Sequence, residues 1–298
     1  VKPSAILTAD LHLREDTPVA RLDDYFAAQD RKIRFIADLQ KAHNGIPVFD
    51  AGDLFNKWRG SPFLLQWAIR TLPDIITIDG NHDQSSHNRD LFEKTSLAVL
   101  KAAGVARVPT EPISVAEIPA RIHFFPWGAT LYGVQPTKPG DAKQVALVHT
   151  MTYVGRSPYP GCKDPGAGTL MEKLSGFDLI VSGHNHKNFV VEREGRVLVN
   201  PGSMMRSTAD QADHKPRVYL WYAEDNHVEA VFLPIEEGVV SREHIEVVEQ
   251  REGRMSAFVE RLNTDVEIGL SFERNMERHL AANRMRTRTK EIIEEAMR

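Results

Sequence analysis

Cysteine is nearly absent: Cys162 is the only one in 298 residues. A lone thiol makes no intrachain disulfide framework and no cysteine-based zinc cluster, and it fits a reducing interior. Long apolar runs are also missing. No stretch approaches the ~18 residues that a membrane helix requires. The opening "VKPSAILTADLHL" has too short an apolar run for a secretory leader. The expectation is a soluble, cytoplasmic protein with no membrane partner. Excess positive charge is lacking as well. Lys and Arg number 37 against 41 Asp and Glu, a net charge of −4, so any attraction for a polyanion must come from a local patch.

What remains is ordinary globular material, 42% hydrophobic and 26% charged, enough for one large α/β domain or for a domain with an appendage. Short apolar runs alternate with helical patterns. "AILTAD" (5–10), "IPVFDAGD" (46–53), "IITIDGNHD" (75–83), "RIHFFPW" (121–127), "QVALVHT" (144–150) and "FDLIVSGH" (177–184) read as strands buried on both faces. Helices are expected over 24–42, near 62–72 and near 90–103. After His186 the pattern turns to hairpins, one around Gly195 and one around Asp225-Asn226. The expected fold class is α/β, a four-layer α-β-β-α sandwich of two mixed sheets flanked by helices. Residues 154–168 form a Pro/Gly-rich loop, of a length usually functional or mobile. From about 250 the chain becomes charged, with Met255, Phe258, Val259 and Leu262, then Ile268, Phe272, Met276 and Leu280, at helical spacing. The division expected is 1–240 for the main domain and 241–298 for a helical C-terminal appendage that binds DNA or a partner.

The residues that carry chemistry all follow apolar strands: Asp10 and His12, then Asp53, then Asn81, His82 and Asp83, then His149, then His184 and His186. In open α/β sheets the carboxyl ends of strands converge on one crevice. Five of the twelve histidines occupy these positions, and glycines precede Asp53, Asn81 and His184. Carboxylate, imidazole and amide donors without thiolate suit Mn²⁺, Fe²⁺ or Zn²⁺. The donors exceed one four-coordinate site and suffice for two ions about 3.5–4 Å apart. One carboxylate would bridge the pair, and a hydroxide held between them would attack phosphorus in line.

The ordered blocks "DLH", "GDLF", "GNHD", a strand-end histidine and "GHNH" resemble the calcineurin-like metallophosphoesterase pattern over roughly residues 5–235. The resemblance implies a two-metal phosphoester hydrolase. Asp10, His12 and His186 would hold one ion, Asn81, His149 and His184 the other, and Asp53 would bridge them. His82 would contact the phosphate and protonate the leaving oxygen. The block more often reads "GNHE"; here Asp83 replaces the glutamate and is expected to orient His82. Asn185 is expected to face away.

Within that superfamily "GDLF" and "GNHD" are most like the SbcD-type DNA repair exonuclease subunits, as a compact, phage-type member. That likeness implies DNA as substrate and a coiled-coil ATPase as partner; of Mn²⁺, Fe²⁺ and Zn²⁺, manganese is the metal expected first. Phe63, Leu64, Trp67 and Ile69 lie where that group has a dimer-forming helix, and they read equally well as a core helix. Arg284, Arg286, Arg288 and Lys290 form a basic run that reads as a phosphate contact or as a solvated helix face. The alternative activity is a phosphodiesterase or phosphatase acting on small nucleotides. The remaining histidines, His43, His87, His123, His214, His227, His244 and His279, read as surface or packing residues, with His87 near enough in sequence to touch substrate. Met204 and Met205 read as core or pocket wall.

Overall fold

The first apolar run shows how the layers arise. In "AILT" alternate side chains leave opposite faces of the strand, so Ala5 and Leu7 enter one core while Ile6 enters another. The computed structural model describes residues 1–116, 118–131, 136, 142–243, 245, 254–256, 276, 279–283 and 287–296. Its strands are β1 (Ala5–Thr8), β2 (Val48–Asp50), β3 (Ile75–Thr77), β4 (Ala106–Arg107), β5 (Ile113–Val115) and β6 (Ala120–Phe125), followed by β7 (Lys143–His149), β8 (Leu179–Gly183), β9 (Phe189–Arg193), β10 (Arg196–Asn200), β11 (Arg217–Tyr222) and β12 (His227–Phe232). The helices are α1 (Tyr25–Ala42), α2 (Pro62–Thr71), α3 (Ser96–Ala102), α4 (Ala167–Lys173) and α5 (Thr287–Ala296).

Two mixed six-stranded sheets result, ordered β12-β11-β1-β2-β3-β4 and β5-β6-β7-β8-β10-β9. β1 to β4 are parallel neighbours, and so are β6, β7, β8 and β10; the other strands pair antiparallel. Leu7, Phe49 and Ile76 of the first sheet face Val145, Leu147 and Val181 of the second across the central core. Ile33 and Ile36 of α1, with Leu64 and Leu97, cover the outer face of the first sheet. Leu170, Met171 and Phe177 cover the outer face of the second. Met204 and Met205 are buried in the first of these outer cores.

The hairpin turn at Asp225-Asn226 also ties the sheets together. Asn226 sits at φ 54°, accepts the buried Trp221 indole N–H at 3.0 Å, and donates to the carbonyls of Asp178 and Gly195, both at 2.9 Å. A small side-chain amide tolerates the left-handed backbone and satisfies the indole in one step.

Several elements differ from the expectation. The first three strands stop at Thr8, Asp50 and Thr77, short of the acidic and histidine blocks, because those blocks leave the ladder in tight turns. The helix expected over 90–103 is broken at Thr95. Two 3₁₀ turns, Ser85–His87 and Arg89–Lys94, precede it, and the Thr95 hydroxyl accepts Ala98 N–H at 3.2 Å to start α3 afresh. α4, unforeseen, begins where the Pro/Gly-rich loop ends; Leu170, Met171 and Leu174 at helical spacing were its signal.

Residues Val1–Ser241 form one compact unit and Arg242–Arg298 another. In the second, 254–256 and 279–282 are helical, and α5 carries Arg288 and Lys290. His244, Phe258, Val259, Leu262, Ile268, Phe272, Arg284 and Arg286 lie outside the described residues. Among the described residues no helix is long and apolar enough to cross a membrane.

Candidate metal centre and active-site groove

The turns after β1, β2, β3 and β8, together with the last residue of β7, bring the five blocks to one crevice at the edge of the central core. Four of the chemistry-bearing residues hold backbone conformations that side chains seldom adopt: φ is 51° at Asp10, 45° at His12, 57° at Asp53 and 84° at His184. Such strain persists where surrounding contacts over-determine it, and here each block is held by another. The His184 N–H donates to both Asp10 carboxylate oxygens, at 2.9 and 3.0 Å. The His82 N–H donates to Asp53 Oδ1 at 2.9 Å, and the His12 N–H to the Asp53 carbonyl at 3.0 Å.

Ligand atoms gather around two points. Asp10, His12 and His186 form one group, with His12 Nε2 3.0 Å from His186 Nε2. Asp53, His149 and His184 form another, with the Asn81 amide oxygen 3.2 Å from His149 Nε2 and 2.9 Å from His184 Nδ1. Asp53 Oδ2 lies 3.7 Å from His12 Nε2 and 3.4 Å from His149 Nε2, between the two groups. His82 joins His12 and Asp53 in a third cluster. All seven candidate ligands are therefore brought together, with the carboxylate of Asp53 in the shared position.

The donor chemistry fits divalent cations. Burial holds the His12 imidazole down to about 3 and that of His184 down to about 4, and it lowers His186 as well, so the ligand-ready neutral form prevails. Burial pushes the Asp10 carboxyl up to about 8, with the Asp53 charge adding to it. Burial would also raise Asp53, but His149 and His12 outweigh it and hold the group below the usual carboxylate range. Burial acts to lower His149, yet Asp53 and Asp10 raise it to about 9. A buried Asp10 carboxyl short of compensating charge, an Asp53 carboxylate held only by its histidine neighbours, and the neutral imidazoles of His12, His184 and His186 make a site that gains from a bound cation. The second nitrogen of His149 donates to the Ala51 carbonyl at 2.7 Å, which presents Nε2 to the centre. Trp127 covers the opposite side, its ring 4.8 Å from that of His184.

Two expectations need correction. Asp83 does not orient His82: its carboxylate accepts the N–H groups of Leu54 (3.1 Å), Phe55 (2.9 Å) and Gly80 (3.1 Å), clamping the turn after Asp53 to the turn after β3. The His82 imidazole is positioned instead by the Asn56 carbonyl, 2.8 Å from Nδ1. Asn185, expected to face away, lines the groove that opens from His82 and Asp53 and ties down the loop between the two histidines. Its Nδ2 donates to the Thr152 carbonyl at 2.7 Å and its Oδ1 accepts Lys187 N–H at 3.1 Å.

From His82 and Asp53 a groove of about 680 Å³ opens along the loops 184–188 and 208–217. Lys187, His214, Lys215 and Arg217 line it, as do Asp210 and Asp213. His214, expected to be a surface or packing residue, thus faces the groove, with Nε2 2.8 Å from the Ser203 carbonyl. The basic "HKPR" after "NPGS" was the available signal. His87 is exposed at φ 54° and is not among the groove residues.

A family model described as the calcineurin-like phosphoesterase superfamily domain matches residues 5–221. No curated protein matches the sequence. Among solved structures, an archaeal phosphodiesterase is 14% identical, covering 77% of this chain and 99% of its own, with a TM-score of 0.41. A protein from Thermus thermophilus is 11% identical, covering 78% and 100%, with a TM-score of 0.49. A metallophosphoesterase from Sphaerobacter thermophilus is 12% identical, covering 78% and 89%, with a TM-score of 0.40.

Proposed function

The chain belongs to the calcineurin-like phosphoesterase superfamily and is a metal-dependent phosphoesterase, and from that premise we propose that it hydrolyses DNA phosphodiesters as a nuclease acting at ends. The observation carrying this reading is the groove. It opens from the metal centre and is lined by Lys187 on one loop and by Lys215 and Arg217 on another, more cations than a single phosphate needs and enough to meet a chain of them.

Asp10, His12, Asp53 and His186 would hold one divalent ion and Asp53, Asn81, His149 and His184 a second; these donors suit Mn²⁺, Fe²⁺ or Zn²⁺, of which manganese is the ion proposed. When bound, the ions supply an activated water and neutralise phosphoryl charge. Water oxygen bonds to phosphorus as the P–O bond opposite it breaks, and the proton that the water loses passes to solvent. The leaving oxygen takes a proton from Nε2 of His82, whose Nδ1–H is held by the Asn56 carbonyl so that Nε2 is directed into the groove. Partners belong to the same proposal. Phe63, exposed on α2 and 5.3 Å from the Phe26 ring, offers an apolar face to a second copy of the chain, and a coiled-coil ATPase is the expected assembly partner.

A second reading, a phosphodiesterase or phosphatase of small nucleotides, draws on Asp210 and Asp213, which oppose a long polyanion in the same groove. A panel of substrates assayed with Mn²⁺ separates the two. Linear single-stranded or frayed DNA is expected to be degraded, and His82→Ala to lower turnover about 10²–10⁴-fold while both ions are retained. Cleavage of bis(p-nitrophenyl) phosphate or cyclic nucleotides with every DNA substrate left intact would defeat the nuclease reading.

A further inference from the structure

Behind the metal centre, on the outer side of the strip that follows β10, lies a second pocket of about 210 Å³ that shares no lining residue with the groove. Four cations wall it: Arg21, Arg31, Lys32 and Arg206. Three of them are buried, with Lys32 3%, Arg206 4% and Arg21 8% exposed. Two carboxylates answer them. Arg21 grips Asp23 through two hydrogen bonds of 2.7 and 2.6 Å, and Arg31 bonds Glu236 at 2.6 Å.

Lys32 and Arg206 have only carbonyl partners. The Lys32 ammonium donates to Met204 O at 2.8 Å, while Arg206 donates to Ala212 O at 3.0 Å and to the Glu236 carbonyl. Among the described residues neither has a carboxylate within ion-pair distance. A buried ammonium with one acceptor leaves two N–H groups unspent, and burying an unpaired charge is strongly unfavourable. Burial lowers Lys32 to about 7, and the Arg21 and Arg206 charges push it the same way. With Lys32 protonated the pocket carries two more positive charges than negative ones, a tetrahedral anion of five heavy atoms fits its volume, and it is lined by Arg31 and Lys32 of α1 together with Arg206 of the strip that follows β10.

We propose that this pocket binds a dianionic oxyanion of the phosphate class, held by Lys32, Arg206 and, at the rim, Arg31. Occupancy supplies the charge that the protein leaves unmatched and fixes Met204, whose N–H donates to the Asp10 carbonyl at 3.2 Å. The site does not depend on which phosphoester the enzyme hydrolyses.

The test is the melting temperature of the manganese-loaded 298-residue chain, titrated with inorganic phosphate against chloride at matched ionic strength. Wild type, Lys32→Met and Arg31→Gln are compared. Phosphate binding at the metal centre is common to all three, so the difference between them reports this pocket. Phosphate is expected to raise the wild-type melting temperature saturably, by about 3–6 °C more than it raises that of Lys32→Met. Arg31→Gln, a rim change that leaves the buried contacts in place, is expected to raise the half-saturating phosphate concentration about tenfold. Equal phosphate responses in wild type and Lys32→Met would overturn the proposal. So would a response lost in Lys32→Met but unchanged in Arg31→Gln, which would make Lys32 a packing residue only.

Discussion

Asp53→Asn is expected to abolish turnover and metal binding together. The carboxylate is 1% exposed and lies between the two ligand groups, 3.7 Å from His12 Nε2 and 3.4 Å from His149 Nε2. The amide keeps the shape and one oxygen but removes the charge that both groups share. Lewis-acid stabilisation of a phosphoryl transition state is worth several kcal/mol, and each ~1.4 kcal/mol is a decade in rate, so a fall of about 10³–10⁴-fold is expected. Elemental analysis and a bis(p-nitrophenyl) phosphate assay on one preparation check it. Retention of both ions with wild-type turnover would remove Asp53 from the shared position.

Gly80→Ala should do comparable damage without replacing a ligand. A Cβ at this position would sit 2.0 Å from Asp53 Oδ1 and 2.5 Å from Asp53 N, so the turn after β3 or the Asp53 turn must move. Neither has room, because Asp83 ties Gly80, Leu54 and Phe55 to one carboxylate. Overpacking of this kind costs about 1–3 kcal/mol of stability, and displacement of a catalytic group by about 1 Å costs about 100-fold in rate. Denaturant unfolding and steady-state kinetics measure the two effects. A variant with unchanged metal affinity and rate would show that the two turns are not locked together.

The clustering of the seven candidate ligands was legible because each of them follows an apolar run, and a parallel strand buried on both faces delivers its last residues to a common edge. Two sheets and their outer helices were legible for the same reason, as the runs in "AILT" and "VALVH" need cover on both sides. Neighbours in sequence misled where a turn reverses the side chain. Asp83 follows His82, yet it points at the backbone of residues 54–55, and Asn185 lies between two ligands, yet it binds Thr152. The groove was illegible because its walls, Lys187 on one loop and Lys215 and Arg217 on another, meet only after β9 and β10 fold back as a hairpin. The phosphate-class pocket was hidden more deeply. Lys32 sits in a helix among charged residues and reads as a solvated face, and its burial follows from where α1 packs against Met204.

Titration of Mn²⁺ into the metal-depleted 298-residue chain, read as ions bound per chain, tests the shared-carboxylate centre most directly. Two ions are expected in wild type, with His186→Ala weakening one site selectively and His184→Ala the other. Undiminished hydrolysis by a chain that holds no metal, or one ion per chain bound alike in both variants, would contradict it.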